Sequence, residues 1–459
     1  MGIFGALTTS VAGLKSQSYA LENISGNIAN SQTTAFKRID TSFIDLIPDT
    51  SVSQQLAGSV NSNSRSTNTV AGSVQSASVA TYMAISGSGF FVVQQPGNVT
   101  DGTPTFTGTD LYTRRGDFTL DKNGYLVNGA GYYLSGIGID PSTGNPTGNS
   151  PEVLRFQNDF LPAQQTTTVT YRANLAKVPA TSKYDSSVPG SELLNPADFT
   201  SNPLIAGTGN VIGSDAQTFI DSSVAGGAVT AYDASGSPVN IQFRWAKTDS
   251  ADLGTGHTDT WNLFYQVDST ATGTNVAWKN AGTNFTFGAN NQLNPPIASI
   301  TLTGATVNGV ALGNPVVNFG TGSLTQYADS NGNVKINQLE ANGFSAGQLE
   351  SVSISDDGRV VGNYSNGRKL DLAQVVLANF NGPDFLKRID GGAFEATSDS
   401  GQAIYGGTGK IVSSSLESSN TDIADEFTKL IVTQQAYSAN TKVITTTNSM
   451  VQDLLNVMR

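Results

Sequence analysis

The stretch from Ser419 to Arg459 constrains this chain most. No Pro or Gly interrupts it, and Ile423, Leu430, Tyr437, Ile444, Val451 and Met458 recur every seven residues. Phe427 and Leu455 stand four residues after two of them, and Gln434, Thr441 and Asn448 fill that second row between. This predicts one helix of roughly 36 residues, about 55 Å long, with a narrow apolar seam of the coiled-coil kind. Asn420 or Thr421 suits its N-cap, and Asp422, Asp425 and Glu426 suit the positive end of its dipole.

The beginning of the chain repeats the pattern. Leu7, Leu14, Leu21 and Ile28 are again seven apart, with Phe4 and Val11 on the second row before Ser18 and Ser25 take it over. Seams this polar drive an isolated pair only weakly. Their place at the two ends of a 459-residue chain predicts that the ends pair with each other and complete their burial against other copies. Everything between them is then an insertion in a stalk.

Charged residues are 13% of the chain, about half the usual share. With 49 Gly and many Ser, Thr and Asn, this predicts a β-rich protein with many turns and a surface of hydroxyls and amides. A net charge of −12 disfavours nucleic acid and anionic membrane surfaces as partners. Lys37-Arg38 and Arg114-Arg115 are too short to make a basic patch. The absence of Cys excludes disulfides, thiolate metal sites and Cys nucleophiles. No secretory signal, myristoylation site or membrane-spanning apolar run is expected.

After the first helix, Gly26 to Arg38 reads GNIANSQTTAFKR, and Thr33-Thr34 ends the helix. Phe36, Phe43, Ile44, Leu46 and Ile47 offer an apolar patch before Pro48. Residues 49–78 are too polar for a core and are expected as an extended arm or a flexible linker. From Val79 the pattern is β. Asp121 to Gly124, Asp233 to Gly236 and Asp329 to Gly332 are D-x-x-G hairpin turns, and Asp356-Asp357-Gly358 is a shorter form. Two strands have a clear inward face: Ile241, Phe243 and Trp245 in one, Trp261, Leu263, Tyr265 and Val267 in the other. The expected layout is nested. Residues 1–32 and 416–459 form the terminal helical domain, 33–78 the arm, 79–171 with 326–415 an inner β domain, and 172–325 an inserted outer β domain. The fold class is α+β, mainly β, with long terminal helices pairing as a coiled-coil stalk around nested antiparallel β domains.

Chemistry finds little footing. Ile404 to Ile411 approaches a phosphate loop, but Ile404 replaces its first Gly and no Ser or Thr follows Lys410. Asp329, Asn331 and Asn333 begin like a calcium loop, but Gly332 falls at position four and no Glu at position twelve. His257 is the only His, which leaves no triad and no His-based metal site. The acids sit mostly in Gly-containing turns or on the terminal helix. No catalytic, cofactor-binding or metal-binding residue is expected, and no cofactor.

A resemblance then enters. Asn27-Ile28-Ala29-Asn30, Thr33 and Phe36-Lys37 look like the N-terminal signature of the flagellar rod and hook axial protein family, with Ala35 standing where that signature usually has Gly. Ser419-Asn420, Asp422-Ile423, Glu426, Gln434, Ala436-Tyr437, Ala439-Asn440 and Lys442-Val443-Ile444 look like its C-terminal signature. Gly89-Phe90-Phe91, Tyr112-Thr113-Arg114, Gly116, Phe118, Asp121, Gly124, Tyr125-Leu126-Val127 and Val361-Gly362-Asn363-Tyr364 match the β region of the family. About half the chain is covered, and the hook branch of the family fits best. The resemblance implies a non-enzymatic structural subunit that polymerises into a curved tube between rod and filament, transmitting torque as it bends. Its terminal helices would line an axial export channel. It also implies export through the flagellar type III apparatus without a cleaved signal, and an extracellular location in the hook. Partners would be further copies of the chain, the distal rod, the hook cap and the hook–filament junction proteins. No nucleic acid and no membrane insertion are implied. The implied assembly seam is Phe4, Leu7, Val11, Leu14, Leu21, Ile28, Ile423, Phe427, Leu430, Tyr437, Ile444, Val451 and Leu455. A straight distal rod protein of the same family is the nearest alternative. A secreted β-rich adhesin or carbohydrate-binding protein is the alternative from another class.

Overall fold

A computed structural model describes residues 3–46, 59–100, 103–140, 143–156, 160–204, 209–406 and 409–457. Helices α1 (Ile3–Ala29) and α3 (Ile423–Val457) stand at the two ends of the chain; between them the described residues are mainly β, with one short α-helix among them, α2 (Ala216–Asp221). Asp422 caps α3, its carboxylate accepting from the backbone N–H of Ala424 at 2.8 Å.

The chain divides into two compact units, residues 1–159 with 349–459, and residues 160–348. These limits lie outside 172 and 325 because Thr168–Asn174 pairs antiparallel with Lys335–Ala341, which closes the second unit on itself. The terminal helices belong to the first unit.

In the first unit an antiparallel sheet runs in the order Arg359–Tyr364, Lys369–Val375, Tyr133–Gly138, β5 (Phe90–Thr100), β6 (Thr103–Thr113), Ala393–Glu395 and Lys387–Ile389. Strand alternation decides its two faces. Phe91 and Val93 of β5 join Phe118, Leu126, Leu134 and Val360 in one core, while Phe90 and Val92 join Tyr112, Phe380 and Phe394 in another. The turn Asp121–Gly124 forms as its sequence predicts: Gly124 takes φ 83°, and the Asp121 carboxylate accepts from Asn123 and Tyr125 N–H groups.

In the second unit a five-stranded antiparallel sheet orders Asn210–Ile212, Val276–Thr286, Thr260–Gln266, Pro238–Asp249 and Val224–Tyr232. Ile241, Phe243, Trp245, Trp261, Leu263 and Tyr265 all enter one core, as their alternation predicts, and Val267 packs at its edge. Phe264, on the opposite face, enters a second core with Phe219 and Trp278. Asp329 accepts from Asn331 and Asn333 N–H groups with Gly332 at φ 66°, the turn that its D-x-x-G sequence predicts.

The described part of the arm is extended. Residues 49–58 and the predicted apolar Ile47 lie outside the described residues, but β1 (Ile39–Leu46) and β2 (Ser59–Ser66) form an antiparallel hairpin. Polarity, which argued against a core here, is also how the hairpin attaches to α1. The Ser16 hydroxyl donates to the Val60 carbonyl at 3.2 Å, Asn23 Nδ2 donates to Thr41 Oγ1 at 2.9 Å, and the Tyr19 and Ser64 hydroxyls are bonded.

Candidate assembly surface

The two terminal helices pack together and run antiparallel. Asn27 Nδ2 donates to Glu426 Oε2 at 3.0 Å, and Gly13 lies against the side chain of Asn440. The register joining these pairs sets Ala20 across from Thr433, and both are buried. Gly13, Ala20 and Asn27 are thus one row of seven on α1, facing Glu426, Thr433 and Asn440 on α3; Thr447, also buried, continues the second row. The contact uses small and polar side chains because small residues let two helix backbones come close.

The row expected between the helices lies beside this contact. Leu7, Leu14, Leu21, Ile28, Leu430, Ile444 and Val451 are half-buried. Phe4, Val11, Ile423, Phe427, Tyr437 and Leu455 are exposed, Phe4 at 75% and Leu455 at 59%. Met458 lies outside the described residues. The second row on α3 therefore falls three residues after the Leu430 row, at Thr433, Asn440 and Thr447, not four. Reading apolar residues alone missed it; the seven-residue spacing of Gly13, Ala20 and Asn27 was the available signal. A second apolar flank was missed as well: Val432, Val443, Met450, Leu454 and Val457 are exposed along α3.

The two signatures meet where the helices join the sheet of the first unit (the sheet unit). Lys37 Nζ lies 2.5 Å from Glu417 Oε1 and donates to the Val70 carbonyl at 2.7 Å; Arg114 Nη1 lies 3.3 Å from Glu417 Oε2. The Lys37 and Glu417 side chains are wholly buried, and Arg114 nearly so. Burial pulls the Lys37 ammonium below its usual range, and the Glu417 carboxylate opposes that pull. Burial also lowers Arg114, again opposed by Glu417, and lowers Arg388, whose guanidinium donates to the Lys37 carbonyl and lies 5.5 Å from the Phe36 ring centroid. Lys37-Arg38 and Arg114-Arg115 are therefore not a basic patch but parts of an ion-paired junction, with Arg115 held by Asp117 at 2.8 Å.

The remaining motif residues shape the turn that leads into this junction. Asn27 Oδ1 accepts from Ile39 N–H at 2.9 Å, Asn30 Nδ2 donates to the Gly26 carbonyl, and Thr33 Oγ1 donates to Asn30 Oδ1. Ala29 is exposed. Ala35 is buried at φ 56°, a conformation suited to Gly, and its N–H donates to the Glu417 carbonyl at 2.8 Å. Asn420 receives the Arg38 N–H at 2.7 Å and donates to Thr67 and Val70. Glu417 was not singled out from sequence, since one Glu in a Ser-rich stretch carries no local signal.

Residues 412–457 match the family profile described as flagellar basal body rod FlgEFG protein C-terminal, and residues 84–153 that of the flagellar hook protein FlgE/F/G D1 domain. Across 100% of both chains the protein is 30% identical to the flagellar hook protein FlgE of Brucella abortus biovar 1 (strain 9-941). The chain belongs to the flagellar hook protein FlgE family. FlgE of Escherichia coli (strain K12) is 31% identical over 98% of this chain and 100% of its own length, and that of Salmonella typhimurium (strain LT2) is 30% identical over the same shares. The crystal structure of Helicobacter pylori flagellar hook protein FlgE2 superposes with a TM-score of 0.48 at 16% identity, covering 73% of this chain and 98% of that one. Hook proteins of the FlgE family are structural subunits of the flagellum and not enzymes. Among the described residues no helix is long and apolar enough to cross a membrane.

Proposed function

We propose that this chain polymerises into the curved tube of the hook, its α1–α3 pair serving as a coiled-coil-type stalk that lines an axial channel. The carrying observation is the apolar surface left on the helix pair by a single chain. Phe4, Phe427 and Leu455 are exposed, as is the flank from Val432 to Val457. Burying such side chains contributes about 1.5–3 kcal/mol each, and other copies of the helix pair are the partners of matching shape. The seam residues named from sequence and the flank through Val443 and Met450 then take different neighbours. Residues 160–348 form the outer layer, whose hydroxyl- and amide-rich surface lets neighbouring copies slide while the tube bends and passes torque from rod to filament. The chain is exported unfolded by the flagellar type III apparatus and meets the distal rod, the hook cap and the hook–filament junction proteins outside the cell.

Electron microscopy of purified, polymerised protein tests this. Curved tubes are expected. Straight tubes indicate a distal rod protein, and failure to form tubes at any concentration overturns the reading.

A further inference from the structure

We infer that residues 410–417 act as a strap that seats both ends of the chain on the sheet unit in one all-or-none step, with Glu417 supplying its charge. The strap pairs antiparallel with two separate stretches: Lys410–Ser413 with β4 (Met83–Ser86), and Ser415–Glu417 with β3 (Val74–Ser76). Among the described residues it is the only strand partner of either. Its last residue then reaches the N-terminal signature from two sides. The Glu417 carbonyl accepts from Ala35 N–H, and its carboxylate accepts from Gly72 N–H at 2.8 Å and meets both Lys37 and Arg114.

These contacts stand or fall together. Without Glu417, two buried cations face each other with no carboxylate in contact among the described residues, and a buried unpaired charge is among the costliest states a fold can hold. A half-docked strap therefore gains little: the strand pairing and the charge pairing favour the same end state. Steric fit tightens the coupling. A methyl at Gly72 would lie 1.9 Å from the Ser418 carbonyl oxygen, so the arm accepts the strap only along a bare backbone there. The consequence is an order of events. Residues 74–76 and 83–86, early in the chain, lack a strand partner among the described residues until residues 410–417 arrive, while Ala80, Thr81 and Met83 meet the sheet through Ile354, Phe118 and Gly116. The inference concerns the single chain and does not rest on tube formation.

Hydrogen exchange by mass spectrometry on the full-length monomer tests it with two variants. Glu417→Gln removes the charge from the strap; Gly72→Ala adds a methyl on the opposite segment. Each is expected to speed exchange at least tenfold in residues 30–38, 70–86 and 410–421 together, leaving Arg359–Tyr364 and Lys369–Val375 as in wild type. Adding Lys37→Met to Glu417→Gln is expected to restore part of the protection, because one of the two uncompensated cations is gone. The inference is overturned if either variant loosens only its own segment, if Lys37→Met restores nothing, or if wild type shows no slow exchange in the three segments. Loss of protection in Arg359–Tyr364 with either variant also overturns it, since the strap would then be part of the core and not a separate step.

Discussion

Gly13 of α1 and Asn440 of α3 approach so closely that a methyl at residue 13 would sit 3.0 Å from Asn440 Nδ2 and 3.1 Å from its Oδ1. Gly in a helix interior costs about 1 kcal/mol relative to Ala, so its presence here has to be offset by what it permits. What it permits is the close approach that puts Thr433 and Asn440 between the helices.

Gly13→Leu should force the pair apart. Side chains at 13 and 440 cannot share that space, and the loss repeats at every subunit of a polymer. The expected outcome is at least a tenfold rise in the critical concentration for assembly, about 1.4 kcal/mol per subunit, measured by sedimentation. Gly13→Ala, with better helix propensity and a movable Asn440 side chain, should assemble nearly as wild type.

Charge on the half-buried row tests the seam itself. Leu430→Asp with Ile444→Asp removes two apolar side chains worth about 1.5–3 kcal/mol each when buried and places carboxylates where a copy would cover them. Tubes should be absent at concentrations where wild type assembles, with the sheet unit still folded by circular dichroism. Thr433 and Thr447 do not serve as control sites because both are buried against α1. Ser438 and Ser449, exposed on α3 away from both the contact with α1 and the Val443–Met450 flank, do; Asp at those two positions should still yield tubes by microscopy.

How far the sequence reveals this arrangement depends on the signal each part carries. Hairpin turns announce themselves through Asp and Gly, and strands such as that of Ile241, Phe243 and Trp245 through alternation, because both are local. The terminal helices are visible from their repeat of seven. Their contact is not, because it is made by Gly13, Ala20 and Thr433, which hydrophobic periodicity ignores. The hairpin of the arm is hidden for a similar reason: Ser16, Asn23 and Tyr19 attach it by hydrogen bonds, and polar residues read as solvent-facing. The Lys37–Glu417–Arg114 junction joins positions hundreds of residues apart, so no window of sequence contains it.

Ala35 offers a gain of stability. Its φ of 56° lies in the left-handed region, where a Cβ costs about 1–2 kcal/mol. Ala35→Gly removes that cost but gives back some unfolded-state entropy. The net expectation is roughly 0.5–1 kcal/mol of added stability, read as a rise in the denaturant midpoint of the first unit with its slope unchanged. A fall in midpoint would show that the methyl packing of this buried residue outweighs its strain.

Acid should weaken residues 160–348 through their turns. The Asp233 carboxyl is held below the usual range by the Ser235 hydroxyl and then by the Ser237 N–H; Asp268 is lowered by the N–H and hydroxyl of Thr270, and Asp185 by the hydroxyl and N–H of Ser187. A carboxyl lowered in the folded state binds protons less readily than in the unfolded chain. Its contribution is therefore complete above the ordinary value of 3.8 and is lost as pH falls through the lower folded value. Calorimetry at pH values from about 5 down to about 2.5 should show the unfolding temperature of this unit falling most steeply below about 4. The triple variant Asp185→Asn, Asp233→Asn and Asp268→Asn keeps an acceptor oxygen in each turn but cannot titrate, so its fall should be shallower than that of wild type. Equal slopes for the two proteins would mean that other carboxyls carry the acid sensitivity of this unit.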